Sequence, residues 1–207
     1  MNALSPAMQA KAAGVQATQV RDYSRAAREF GKACNLDPKL VDVCYYQGRA
    51  LYYTNRFEDA LVPLRRSIEI GESSARAHST IAQCLEALGQ PDNAEREHRK
   101  AITDDPTGQY RVRYAIFLFR QGRVDEAVAP LTEALKLSPQ DFEGNLQMGR
   151  ILFEQDKFSN ALEFLDKALQ IRPTSTEAHL LAAKVCQQLG RKAEAEKHLK
   201  AAQIPEP

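Results

Sequence analysis

The sequence predicts an all-α solenoid of six helix-turn-helix repeats. Three observations predict it: a period of 34 residues, columns of small residues that keep the period, and apolar residues spaced three to four apart between them. Pro38, Pro106, Pro139 and Pro173 each close a similar phrase, from Ala-Cys-Asn-Leu-Asp-Pro to Ala-Leu-Gln-Ile-Arg-Pro. The first interval between them is 68, two periods, and the next two are 33 and 34, with the missing closure falling at Glu72. Ala26, Ala60, Ala94, Ala127, Ala161 and Ala195 form one column of small residues. Ala33, Ser67, Ala101, Ala134, Ala168 and Ala202 form a second, and Gly14, Gly48, Ala82, Ala115, Gly149 and Ala183 a third. The repeats therefore run over about 7–40, 41–74, 75–107, 108–141, 142–175 and 176–207, and 1–207 reads as one domain.

Within each repeat the apolar spacing gives two amphipathic helices, as in Phe117, Leu118 and Phe119 before a break and Val124, Ala127, Val128, Leu131 and Leu135 after it. Asn55, Gly89, Gly122, Asp156 and Gly190 stand at the breaks and tolerate the left-handed backbone that ends a helix; Arg21 in the first repeat departs from that rule. Small residues at place 8 of a repeat are expected to face the alanine at place 20, so that the two helix axes approach closely. Leu61, Ile68, Val128, Leu135, Leu162, Phe164 and Leu169 are offered to the following repeat, since each hairpin leaves an apolar flank that its neighbour must cover.

Two repeats depart from this scheme. Repeat 6 has Glu196, His198 and Gln203 at the corresponding places, which suits a terminal cap, and the array is expected to end near Pro205 without a further capping helix. Repeat 3 has Glu95, Glu97 and His98 there and is one residue short, which predicts a looser joint before repeat 4. Pro63 and Pro130 fall inside second helices and should bend them slightly, because each removes a backbone donor.

The spacing of Gly or Ala, then Ala, then a closing Pro resembles the tetratricopeptide repeat family across nearly the whole chain, although place 4, usually aromatic, holds Ala10, Cys44, His78, Arg111, Asn145 and His179. The resemblance implies a right-handed superhelix whose first helices line a concave groove through places 2, 5, 6, 9, 12 and 13. It also excludes two ligand sites known in the family. Lys11 followed by Val15, then Tyr46, does not make the chaperone-tail clamp, and place 6 lacks the asparagine ladder of the sugar-transferase scaffolds.

Chemistry of other kinds is poorly supported. Lys and Arg total 28 against 27 for Asp and Glu, so no strong basic field selects nucleic acid. No run approaches the ~18 apolar residues of a membrane span, and no signal segment is visible, so a cytoplasmic location is expected. Cys34, Cys44, Cys84 and Cys186 form no CxxC and are expected to be reduced, buried small hydrophobes. Glu95-x-x-His98 is a single pair where a carboxylate-bridged metal centre needs two, and His78 and His179 share a place that suits packing. No metal, cofactor or catalytic centre is expected.

The groove places then carry the function. They hold Tyr45, Tyr46, Arg49, Tyr52 and Tyr53 in repeat 2, Thr80 and Gln83 in repeat 3, and Arg113, Phe119 and Arg120 in repeat 4. Gln147, Arg150 and Phe153 follow in repeat 5, and Lys184, Gln187 and Gln188 in repeat 6. Tyrosine and arginine combine large area with hydrogen-bonding reach and are frequent anchors of binding. Arg49, Arg150 and Lys184 share place 9. The expectation is a scaffold that binds a protein or an extended peptide, acidic or carboxylate-terminated, with surface ion pairing as the plainer reading of those bases. The alternative is a regulatory or docking part of a larger enzyme or of a secretion or assembly machine.

Overall fold

The structure is a computed structural model and describes residues 4–40, 42–71 and 74–202. Glu72, Gln203 and Pro205, which bear on the missing proline, the polar cap and the end of the array, lie outside them. Twelve helices fill the described residues. Repeat 1 is α1 (Pro6–Gln19) and α2 (Tyr23–Leu36), repeat 2 is α3 (Val43–Tyr53) and α4 (Phe57–Glu69), and repeat 3 is α5 (Ser74–Ala87) and α6 (Pro91–Asp104). Repeat 4 is α7 (Gly108–Arg120) and α8 (Val124–Leu137), repeat 5 is α9 (Phe142–Glu154) and α10 (Phe158–Ile171), and repeat 6 is α11 (Thr176–Gln188) and α12 (Lys192–Ala201).

Starts and stops have local causes. Ser5, Asp22, Asp141 and Ser175 cap α1, α2, α9 and α11 by accepting from the backbone N–H three residues on, at 3.2, 2.9, 2.6 and 3.3 Å. Between the two helices of every repeat one residue takes a left-handed backbone, with φ of 57° at Arg21, 58° at Asn55, 69° at Gly89, 75° at Gly122, 57° at Asp156 and 72° at Gly190. The turn thus has one geometry throughout, and Arg21 adopts it against its own preference. Left-handed backbone costs an L-residue roughly 1–2 kcal/mol, part of which the greater chain entropy of glycine offsets. Arg21→Gly should therefore raise the unfolding free energy by about 0.5 kcal/mol, seen as a higher urea midpoint. An unchanged or lower midpoint would show that Arg21 is not strained.

Two of the three small-residue columns, at places 8 and 20, meet inside the hairpins, while Ala33 of the third packs against Val43 and Cys44 of the next repeat. The place-20 alanines are at most 3% exposed. A Cβ added to Gly48 would lie 2.5 Å from Leu64 Cγ and 3.1 Å from the Ala60 carbonyl; at Gly149 the same two distances, to Leu165 and Ala161, are 2.7 and 3.3 Å. Place 8 therefore sits over the place-20 carbonyl, as expected, and also under the side chain at place 24. That fourth column is Phe30, Leu64, His98, Leu131, Leu165 and Leu199. Helices α4 and α8 continue through Pro63 and Pro130.

Repeat 3 resolves its polar substitutions internally. His98, 2% exposed, replaces the apolar residue at place 24, and its Nε2 lies 2.8 Å from a carboxylate oxygen of Glu86 on α5. Glu97 Oε2 meets His78 Nδ1 and its other oxygen accepts from Lys100. Burial opposes the Glu97 charge, but these two partners outweigh it and lower its pKa. Glu95 accepts from Arg99. The same helix-to-helix meeting point recurs in repeat 6, where His179 and His198 bring their Nδ1 atoms to 3.0 Å. His179 Nε2 also lies 2.9 Å from the Pro173 carbonyl, to which it donates.

The chain divides between Pro106 and Thr107 into two compact units of three repeats each. The division falls at the repeat that is one residue short. In the first unit α2 packs on α3 and α4 on α5, and in the second α8 on α9 and α10 on α11, so flanks are covered by the next hairpin; first helices also touch, α3 with α5 in the first unit, and α7 and α11 each with α9 in the second.

Candidate functional site

A cavity of about 360 Å³ opens in the first unit between repeats 1 and 2. Helix α1 lines it with Lys11, Val15, Thr18 and Gln19, and α3 and its N-cap with Asp42, Tyr46, Arg49, Ala50 and Tyr53. Tyr23 and Phe30 of α2 complete the wall. Eight of these eleven residues fall on places 2, 5, 6, 9, 12 and 13, so the first helices of repeats 1 and 2 share this one concavity. Its walls are two stacked aromatic pairs, Tyr23 with Tyr53 at 4.6 Å and Phe30 with Tyr46 at 5.3 Å between centroids.

Arg49 is exposed at the edge of this wall. Its guanidinium lies 5.5 Å from the Tyr53 ring centroid and 3.5 Å from the Tyr53 hydroxyl. Desolvation acts against its charge, but the Tyr53 hydroxyl and then Tyr45 and Tyr46 outweigh it, so its pKa is raised. Arg49 meets no carboxylate among the described residues. Asp42, the acid in the wall, is bound by Arg76 at 3.0 Å.

The other residues expected in the groove are dispersed. Tyr45 is 6% exposed, with the Arg76 guanidinium 5.0 Å from its ring centroid, and Gln147 is 5% exposed, donating to Glu143. Neither can present much face to a ligand, which corrects their assignment. Gln83 is half-buried on α5. In the second unit Arg113, Arg120 and Lys184 are exposed, while Arg150 is ion-paired with Glu177 at place 2 of the next repeat. The plainer reading therefore holds for Arg150, whose partner is Glu177.

The cysteine expectation also needs correction. Cys34 and Cys44 form a disulfide joining α2 to α3, with Cα atoms 5.1 Å apart. Two cysteines ten residues apart on different helices meet because the repeat fold brings the end of one hairpin onto the start of the next, a contact no local motif announces. Cys84 and Cys186 are free and buried, and burial pushes the Cys84 thiol up to about 12. Among the described residues no group of three or more potential ligands could hold a metal ion, and no helix is long and apolar enough to cross a membrane.

Tetratricopeptide repeat profiles match residues 45–108, 80–142, 115–176 and 152–207. The chain belongs to the tetratricopeptide repeat family. As such an array it is a protein-protein interaction scaffold. It is similar to the type IV pilus assembly protein PilF of Pseudomonas aeruginosa, with 40% identity over 78 residues, which is 37% of this chain and 31% of PilF. The chain spans about a third or less of the length of the curated relatives it matches. Among solved structures, the type IV pilus biogenesis factor PilW superposes with a TM-score of 0.79 at 20% identity, covering 95% of this chain and 91% of PilW. A monomeric mutant of IFIT1 solved with Gppp-AAAA superposes with a TM-score of 0.71 at 22% identity, covering 89% of this chain and 47% of IFIT1. At these identities PilW and IFIT1 share the fold with this tetratricopeptide array and nothing more.

Sequence reasoning missed the contribution of repeat 1. Val15, Thr18 and Gln19 occupy groove places, and the signal was available in the same register that selected Tyr46, Arg49 and Tyr53. Tyr23 and Phe30 come from the second helix, which the place rule leaves out.

Proposed function

We propose that this scaffold holds an extended peptide, acidic or carboxylate-terminated, on the surface of its first helices. The observation that carries the reading is the aromatic concavity of repeats 1 and 2 with the exposed Arg49 at its edge. A flat charged surface attracts acids but gives them no register, whereas a concave wall of Tyr and Phe supplies area and shape next to the charge. Lys184 supplies a second exposed cation at the same place in repeat 6 and meets no carboxylate among the described residues. The chain acts without catalysis or a cofactor in this reading, and nucleic acid is not its ligand, since cations exceed anions by only one over the whole chain.

Labelled acidic, neutral and basic eight-residue peptides, with a single-stranded RNA of similar length, test the reading by fluorescence anisotropy. Acidic peptides should bind and weaken with salt, and Arg49→Glu should reduce their affinity about tenfold or more. Equal binding of acidic and neutral peptides, or a preference for the RNA, would remove it.

A second reading has an observation of its own in the 40% identity to PilF: this chain would be a docking part of an assembly apparatus. The Cys34–Cys44 disulfide favours an oxidising compartment over the cytoplasm expected from sequence.

A further inference from the structure

The cavity of repeats 1 and 2 has more specific chemistry than an acidic-peptide groove requires. Four of its eleven lining residues are aromatic and form two stacked pairs; Phe30 is buried, so the rings open to a guest are those of Tyr23, Tyr46 and above all Tyr53. Tyr53 is 46% exposed and Val15 40%, so the wall offers apolar faces that the fold itself does not cover. A guest ring can join such pairs in offset or edge-to-face geometry at about 4.5–7 Å between centroids, which adds to the area it buries. Aliphatic side chains gain the area but not the ring geometry.

The electrostatics select the neighbour of that ring. Arg49 is held beside Tyr53 by the hydroxyl contact and the ring face, so its planar donor fork is oriented before any ligand arrives. Asp42 does not cancel it, being engaged by Arg76. The groove places continue past the cavity on both sides, to Met8 on α1 and Gln83 on α5, and Met8 is 46% exposed. A peptide crossing here therefore has surface beyond the cavity at either end, which suits an internal segment. In an extended segment residues i and i+2 share one face about 7 Å apart, a span that lets a ring in the cavity and a carboxylate on Arg49 be engaged together.

We infer that this cavity is an anchor site for an internal aromatic residue of an extended partner peptide, with Asp or Glu two positions away bound by Arg49. The inference rests on the acidic-peptide reading and narrows it to one spacing and one side-chain class.

The test uses the full chain and nine-residue peptides blocked at both ends, with a central Phe-x-Asp, and the same peptides carrying Ala for Phe or Asn for Asp, measured by calorimetry. The Phe-to-Ala change should weaken binding about tenfold to the native protein and less than about twofold to Tyr53→Ala, while Tyr53→Phe, which keeps the ring, should retain the tenfold Phe-to-Ala penalty. The Asp-to-Asn change should weaken binding about tenfold to the native protein and less than about twofold to Arg49→Gln. Far-UV circular dichroism confirms that each variant is folded; Tyr53 and Arg49 are both exposed, so loss of fold is not the expected result. Equal penalties in native and variant proteins overturn the inference. Binding that needs an acid but is indifferent to Phe overturns it while leaving the acidic-peptide reading intact. Binding only of peptides with a free C-terminus overturns it in favour of a terminal carboxylate. No binding of any acidic peptide removes both readings.

Discussion

Gly48→Leu is expected to cost about 3 kcal/mol, the upper end for inserting side-chain volume into a packed core. The first added carbon alone would lie 2.5 Å from Leu64 Cγ and 3.1 Å from the Ala60 carbonyl, and neither can easily retreat: Leu64 is fully buried and Ala60 O belongs to helix backbone. Repeats 3 and 4 carry Ala at this place, against His98 and Leu131, so those hairpins have room for one methyl that repeat 2 lacks. Gly48→Ala should accordingly cost less than the leucine but more than a surface change. The measurement is urea denaturation followed by hydrogen exchange in α3 and α4. Because stability in a repeat stack is shared mainly between neighbours, exchange should quicken first in repeat 2 and its neighbours. A native midpoint for Gly48→Leu would mean that the two helices of the hairpin do not meet as described.

Opening the Cys34–Cys44 disulfide should have a comparable effect. The bridge closes a loop of ten residues in sequence, and loop-closure entropy of that size corresponds to about 3 kcal/mol. Reduction, or Cys34→Ala with Cys44→Ala, should lower the unfolding midpoint and loosen the joint between repeats 1 and 2, where Ala10, Ala33 and Val43 pack around the bridge. Titration of thiols in denaturant should find two before reduction and four after it, since Cys84 and Cys186 are free. Four thiols without reduction would show that the pair is not bonded. The anchor cavity is walled by the same helices, α1, α2 and α3, so its ligand affinity should fall in the reduced protein as well.

Most of the fold was legible because it is periodic. A column of alanines at 0–3% exposure repeated six times needs no long-range information, only the arithmetic of the chain and the closeness of two helix axes. The left-handed turn was legible at Gly89, Gly122 and Gly190 and at Asn55 and Asp156. At Arg21 it was not, because there the geometry is imposed by the hairpin and the residue merely complies. Polar substitutions in repeat 3 were visible, but their partners were not: Glu97 and His98 are satisfied across the α5–α6 hairpin by His78 and Glu86. The site was half legible. Place numbers locate Tyr46, Arg49 and Tyr53, but whether a side chain is open or closed over, as at Tyr45 and Gln147, depends on rotamers and neighbours that a one-dimensional register does not encode.

Linear stacks usually come apart from their ends, where a terminal hairpin has a neighbour on one flank alone. The sulfur bridge acts at one joint of this stack: it pins the end of the second helix to the start of the third, so those two segments stay together even when the packing around them loosens. The cradle nearest the bridge is the part best kept in shape while the rest breathes.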